Sequence, residues 1–293
     1  MNLTKELFLK EIKYNFNNMF NRQFFKNDSL KKKLKSLNID ITRVEINYFI
    51  EENNKDINVK IVRDKNNKNK YTIIFYYGFL EYFFKQAQKF SKDILNRNDK
   101  IYWTIFYYWM EIVFFHEWSH LVRNHFNLLT KSASFNEFGV NSNNLSIEKR
   151  KCLEIDADRF AGKFLAGITT FTFDELKKLL DENNNKILQI IVKLVYNLFY
   201  LLKTQSDLYP PFLLRTIILL SGLQEAKYQN EKIFPSINLN ELEQIVIKTL
   251  MIELRLNQED IKKIEQNINI IEQNINISDK YDKCIKELLD GRS

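Results

Sequence analysis

The sequence predicts an α+β fold that is mostly helical, with one small β-sheet near the N-terminus and a helical C-terminal part. Glycine and proline are scarce, at 6 and 3 of 293 residues, whereas phenylalanine and tyrosine number 24 and 14. This composition favours long helices over a fold rich in turns. Strand-like patterns are confined to residues 41–77, and helical patterns dominate the rest of the chain.

The first element is a helical segment at residues 1–40. Its apolar spacing fits one or two amphipathic helices, and Lys31, Lys32 and Lys33 lie near its end. These lysines either contact an anionic partner or form a solvated helix end.

A small sheet follows this segment. Three strands are predicted at residues 41–50, 57–62 and 71–77, where β-branched and aromatic residues are frequent. Gly78 ends the last strand, and residues 79–95 form a helix.

Four further helices are predicted at residues 103–127, 147–167, 173–203 and 209–223, with a polar loop at 128–146. In the second of them, Ala157 and Ala161 are small enough to let a neighbouring helix approach closely. Residues 41–225 therefore form the main domain.

Residues 226–293 are expected to form a helical appendage. The heptapeptide Ile-Glu-Gln-Asn-Ile-Asn-Ile at 264–270 is repeated without change at 271–277. Its isoleucines fit a short heptad stripe, but two heptads are too few for a coiled coil. Packing back on the main domain is the interpretation that fits this length.

The chain carries no sequence signal for a membrane or for export. Apolar runs at 101–115 and 187–202 are too short and too interrupted to span a bilayer, and residues 1–20 lack the apolar core of a signal peptide. We therefore expect a cytoplasmic protein in which Cys152 and Cys284 are reduced thiols.

The run from His116 to His120 reads His-Glu-Trp-Ser-His and has the chemistry of a zinc site. Two histidines four residues apart lie on one face of a helix, so both imidazoles can reach one ion. Glu117, beside the first histidine, can take a proton from a metal-activated water and give it to a leaving amine.

Catalytic zinc needs a third protein ligand, and the candidates are Glu154 and Cys152. One helix cannot turn both toward the same ion, and Glu154 is preferred. Asp158, one turn beyond Glu154, is placed to accept the second N–H of a ligand histidine. A third histidine ligand six residues after His120 is excluded because that position is Phe126. His125 is expected to be structural, because on a continuous helix it points away from the ion.

These motifs resemble those of the HtpX-type and BepA-type zinc metallopeptidases. The string HEWSHLVRNH is similar to their HExxHxxxxH motif, and LEIDADRFAG is similar to their ExxAD segment. The resemblance implies a zincin-like domain, with Zn²⁺ held by His116, His120 and Glu154. The sequence shows no signal for the transmembrane helices of the first group or for the export of the second.

The segment beginning at Tyr209 resembles a third element of that family, His-Pro-Pro-x-x-x-Arg. By this resemblance, Tyr209, which replaces the family's histidine, and Arg215 would stabilise the oxyanion. Alternatively, the segment is only the start of a helix, with Arg215 exposed. In zinc peptidases of this architecture an edge strand binds extended substrate, so strand 71–77 is either that edge or an internal strand.

The sequence thus predicts a zinc-dependent endopeptidase of the gluzincin type that acts on a protein or peptide. A resemblance in length and zinc motif to the Lit-type phage-exclusion peptidases implies a role in phage defence. The alternative is a non-catalytic interaction or regulatory module stabilised by zinc. A net charge of +7 also suggests a nucleic-acid partner, but no basic stripe interleaved with aromatic residues supports one.

Overall fold

The computed structural model describes residues 4–19, 45–64, 66–67, 70–93, 101–123, 125, 135–136, 147–202, 212–228 and 249. In this part of the chain the helices are α1 (Lys5–Phe16), α2 (Tyr77–Asp93), α3 (Ile101–Val122), α4 (Ile147–Leu180), α5 (Asn184–Leu201) and α6 (Phe212–Tyr228). The strands are β1 (Glu45–Glu51), β2 (Val59–Arg63), β3 (Lys70–Tyr76) and the two-residue β4 (Phe135–Asn136). The predicted class, mostly helical with a small sheet, is confirmed.

The sheet has the strand order β1-β3-β2-β4. Strand β3 pairs in parallel with β1 and antiparallel with β2, and β4 adds a short antiparallel pair beyond β2. The prediction that strand 71–77 is an edge that binds substrate is therefore wrong. Both edges of β3 are already hydrogen-bonded, and its alternate residues Tyr71, Ile73 and Phe75 are buried in the core.

Helix α3 runs through the centre of the molecule. Every residue from Tyr108 to Leu121 is buried, as expected for a helix that is apolar on all sides. The indole N–H of Trp109 donates to the Leu194 carbonyl of α5 at 2.8 Å. The ring of Trp118 stacks on Phe164 of α4 with centroids 4.7 Å apart. These contacts fix α3 between α4 and α5.

Helices α4 and α6 touch through their backbones. A Cβ atom added to Gly162 would lie 2.0 Å from the Leu219 carbonyl oxygen, and one added to Gly222 would lie 2.0 Å from that of Arg159. Only glycine permits this approach at either position. The crossing brings the N-terminal half of α4 against α6.

Several helix boundaries differ from the predictions; α5, for example, begins at Asn184 instead of residue 173, and α6 continues to Tyr228 instead of ending at residue 223. Helix α4 continues to Leu180 instead of ending near residue 167, and Asp181, with a φ of 52°, turns the chain toward Asn183, which caps α5. Helix α3 ends at Val122 and not at residue 127, so His125 lies beyond its end.

Several predictions concern residues outside the described ones, among them those for the lysines at 31–33, Tyr209, Cys284 and the repeat at 264–277. The domain boundaries stay predictions, although α1 contributes Phe8, Ile12 and Phe16 to the same core as the sheet and α3. Within the described part of the chain, no helix is both long and apolar enough to cross a bilayer.

Candidate metal centre

Three buried side chains from two helices converge on one point. His116 and His120 lie one turn apart on α3, and Glu154 comes from α4. The two histidine Nε2 atoms are 3.2 Å apart. Glu154 Oε2 lies 3.2 Å from His116 Nε2, and Glu154 Oε1 lies 3.7 Å from His120 Nε2. These residues form a His-His-Glu cluster that could hold a metal ion.

The spacing of these atoms fits a zinc ion. Two ligand atoms on one tetrahedral zinc, each about 2.0–2.1 Å from it, are separated by about 3.3–3.4 Å. The distances from His116 Nε2 to His120 Nε2 and to Glu154 Oε2, both 3.2 Å, lie close to that value, and the distance from His120 Nε2 to the other Glu154 oxygen is 3.7 Å. In addition, the buried Glu154 Oε2 makes no well-directed hydrogen bond to the described residues, although His116 Nε2 lies 3.2 Å from it. A buried carboxylate oxygen left in this way is costly unless a cation or a donor satisfies it.

Glu117 lies next to His116 in the same turn of α3 and is 1% exposed. The sequence predicts this carboxylate as the general base. It shares the helical turn of His116, and its burial keeps it away from the protein surface.

Asp158 contacts His116 on the side of the ring that faces away from the cluster, and Arg215 contacts Asp158. Asp158 Oδ1 lies 2.7 Å from His116 Nδ1, the ring nitrogen that faces away from the cluster. The Arg215 guanidinium donates to both Asp158 oxygens, at 2.7 and 2.9 Å, and lies over the Phe199 ring. The alternative in which Arg215 is an exposed residue of a helix start is wrong, because it is 4% exposed.

The pKa values of the two histidines of the cluster are shifted in opposite directions. Burial lowers the pKa of His116, but the adjacent Asp158 carboxylate outweighs this effect and raises the pKa to about 10. Burial, with His116 nearby, holds the pKa of His120 well below its usual range. Burial also raises the pKa of Asp158, but Arg215 and His116 lower it by more, so the carboxyl group is ionised.

A second carboxylate and arginine support His120 through His125. His120 Nδ1 lies 2.9 Å from His125 Nδ1, and His125 Nε2 lies 2.9 Å from Asp156 Oδ2. The Nε of Arg123 donates to the same Asp156 oxygen at 2.7 Å. Burial raises the pKa of Asp156, but His125 and Arg123 lower it by more, so this carboxyl group is also ionised.

The structure thus brings together His116, His120, Glu154, Asp158 and Arg215, with Glu117 in the same helical turn. Cys152 is buried but does not belong to the ligand cluster. Asp156 and Arg123 are candidates that the sequence reasoning missed. Asp156 lies inside the ExxAD segment and Arg123 inside the HExxHxxxxH segment. Their places in these two motifs were the signal that could have identified them.

No protein-family model, curated protein or solved structure matches the chain.

Proposed function

We propose that the protein is a zinc-dependent peptidase with a zincin-like catalytic domain. The observation that carries this proposal is the convergence of His116, His120 and Glu154, whose facing nitrogen and oxygen atoms are separated by 3.2, 3.2 and 3.7 Å. Glu117 lies in the same helical turn as His116. Two histidines and one glutamate form a ligand set known from catalytic zinc sites, which leave one position open for water or substrate. The resemblance of both motifs to zinc metallopeptidases points to the same chemistry.

The roles of the side chains follow from their positions. Bound zinc would lower the pKa of a water to about 7 and polarise the scissile carbonyl. Glu117 would accept the proton of the attacking water and pass it to the leaving amine. Asp158, held by Arg215, accepts the Nδ1 hydrogen of His116 and keeps Nε2 directed at the cluster, where a metal ion would take the place of the Nε2 proton.

Arg215 has a positioning role in this scheme. Its guanidinium is engaged by Asp158 on the face of His116 opposite the cluster. Stabilisation of an oxyanion by Arg215 and Tyr209 stays a prediction from the family resemblance.

The direct test compares Glu117→Gln with the parent. Incubation with a proteome-derived peptide mixture, read by mass spectrometry, should show cleavage by the zinc-loaded parent. Glu117→Gln should keep its zinc and fold but lose activity by about 10²–10⁴-fold, because an amide cannot accept the proton. Glu111→Gln is the matched control, since Glu111 is a buried glutamate of the same helix outside the cluster. Activity of Glu117→Gln within about tenfold of the parent would contradict the general-base role.

A second candidate is a zinc-stabilised module without catalysis. It is favoured by the burial of the cluster, since His116, Glu117, His120 and Glu154 are each at most 5% exposed. A structural zinc site is closed, whereas a catalytic site must admit substrate. Zinc binding that raises the unfolding temperature, with no peptide cleaved by the parent, would support this second function.

The endopeptidase substrate, the cytoplasmic location and the role in phage exclusion stay predictions from the sequence. Substrate binding along residues 71–77 is not proposed, because strand β3 is internal.

A further inference from the structure

His125 links the ligand histidine His120 to the Asp156 carboxylate, which is paired with Arg123. The Nδ1 atoms of the two rings are 2.9 Å apart, and the other nitrogen of His125 is 2.9 Å from Asp156 Oδ2. His120 and His125 are completely buried, and Asp156 is nearly so. Water therefore has little access to these contacts, and the hydrogen bonds must be satisfied within the chain.

The positions of the hydrogens in this chain of contacts follow from Asp156. The Asp156 oxygen that faces His125 also accepts a hydrogen bond from Arg123, so it acts as an acceptor, and the His125 nitrogen that faces it must carry a hydrogen. In neutral His125 the other nitrogen, Nδ1, is then an acceptor. It can accept only from a His120 ring that carries its hydrogen on Nδ1, which leaves the His120 Nε2 lone pair available.

The opposite pair of tautomers of His125 and His120 is unfavourable. If His125 carried its hydrogen on Nδ1, its Nε2 lone pair would face the Asp156 oxygen, and two acceptors would lie 2.9 Å apart. His120 would then carry its hydrogen on Nε2, the atom that faces His116 and Glu154. A ring nitrogen that carries a hydrogen cannot bind a metal ion.

Arg123 fixes the carboxylate at the end of this chain. Its guanidinium donates to both Asp156 oxygens, at 2.7 and 3.4 Å. It also lies over the ring of Phe160, 4.2 Å from the centroid. Phe160 and Asp156 are one turn apart on α4, so one helix supplies both groups that contact the Arg123 guanidinium.

We propose that His125, Asp156 and Arg123, here called the Asp156 relay, are positioning residues that set the tautomer and the ring orientation of His120 for metal binding. This inference rests on the proposed function, because it assumes that His120 binds metal through Nε2. Helix α4 thereby supplies one ligand, Glu154, and the carboxylates that orient both histidines, Asp158 directly and Asp156 through His125.

Zinc affinity, measured by competition with a chromophoric chelator, tests the relay. His125→Phe keeps a ring but removes both hydrogen bonds, and its zinc affinity should fall by about 10–100-fold, as for other partners of metal-bound histidines. His125→Gln retains one acceptor and one donor and should bind zinc more tightly than His125→Phe. Equal zinc affinity in the parent and in His125→Phe would overturn the relay.

Arg123→Gln provides a variant that should fold even if His125→Phe does not, because the Arg123 side chain is partly exposed. Its zinc affinity should decrease in the same direction, by up to about tenfold. Arg63→Gln, which changes an arginine of β2 over the ring of Tyr71, is the matched control and should leave zinc affinity unchanged. An Arg123→Gln affinity equal to that of the control would count against the relay.

Imidazole ¹⁵N spectra give a readout that a purely structural role would not move. The chain has only 3 histidines, so the spectrum contains only three rings. The relay predicts a hydrogen on His120 Nδ1 and on His125 Nε2 in the zinc-loaded protein. A zinc-loaded parent with the reverse tautomers overturns the relay alone, whereas a parent that binds no zinc overturns the proposed function together with it.

Discussion

Two buried carboxylates at the candidate metal centre are paired with opposite charges, and a third buried carboxylate, on α3, lies outside this arrangement. Asp158 and Asp156 each meet an arginine and a histidine. Glu111 lies on the same helix, five residues before His116, and its Oε2 atom has no hydrogen-bond partner among the described residues. Burial raises the pKa of Glu111 to about 8.

This shift predicts a pH dependence of stability. The pKa of Glu111 in the folded protein, about 8, exceeds its ordinary value of 4.5. Between these values the folded chain holds a proton that the unfolded chain has released. The free energy of unfolding should therefore fall as pH rises through this window, by at most about 1.4 kcal/mol per pH unit.

Urea denaturation at pH 5 and pH 8 checks the expectation. Glutamine does not ionise, so Glu111→Gln should lose less stability than the parent between the two pH values. If the two proteins lose stability equally, the Glu111 carboxyl group is not the source of the pH dependence.

At the residue scale, the sequence was sufficient to predict which side chains point to the same side of a helix, because their spacing determines this. The pairs His116 with His120 and Glu154 with Asp158 are one turn apart, and such residues share a face. The role of His125 could not be predicted in this way, because α3 ends at Val122 and the chain then places His125 beside His120. Neither spacing nor composition shows at which residue a helix ends and the chain changes direction.

At the scale of elements, the crossing of α4 and α6 determines whether Arg215 reaches Asp158. The two helices touch at Gly162 and Gly222, where carbonyl oxygens of the opposite helix occupy the space of a Cβ atom. The small residues Ala157 and Ala161 are completely buried as well. The sequence indicated a close approach through these alanines but did not identify the glycines at the contact.

Gly222→Ala should separate these helices. The added methyl group would lie 2.0 Å from the Arg159 carbonyl oxygen, so the backbones must move apart. Overpacking of this kind typically costs about 1–3 kcal/mol, which we expect to observe as a loss of stability in urea denaturation. Zinc affinity should fall as well, because the Arg215–Asp158 pair spans the same crossing.

Ser221→Ala is the matched control, since it changes the neighbouring, partly exposed residue and adds no atoms. It should leave both properties near those of the parent. A Gly222→Ala protein as stable as Ser221→Ala would mean that the helices tolerate the methyl group and that the crossing is not close-packed.

The sheet shows a different limit of sequence-based prediction. All three predicted strands overlap observed ones, because alternating β-branched and aromatic residues identify a strand locally. Strand order depends instead on pairing between distant segments. The parallel pairing of β1 with β3 places β3 inside the sheet, and no pattern within residues 71–77 distinguishes that position from an edge.

At the scale of the whole molecule, the site unites residues that lie far apart in the sequence. His116 and His120 come from the central helix, Glu154 and Asp158 from α4, and Arg215 from α6. The fold brings several carboxylates into its buried interior, which is unfavourable unless each is paired or binds a cation. Arginines and histidines pair with Asp156 and Asp158, and a metal ion would do so for Glu154.

The metal content of the purified protein tests this account most directly. Elemental analysis of the parent should find about one zinc per chain, because three ligands and one open position complete a single tetrahedral site. His120→Ala should lose the zinc, and Glu154→Gln should bind it more weakly. A parent without zinc, or a His120→Ala protein that still holds about one zinc per chain, would contradict the proposed site.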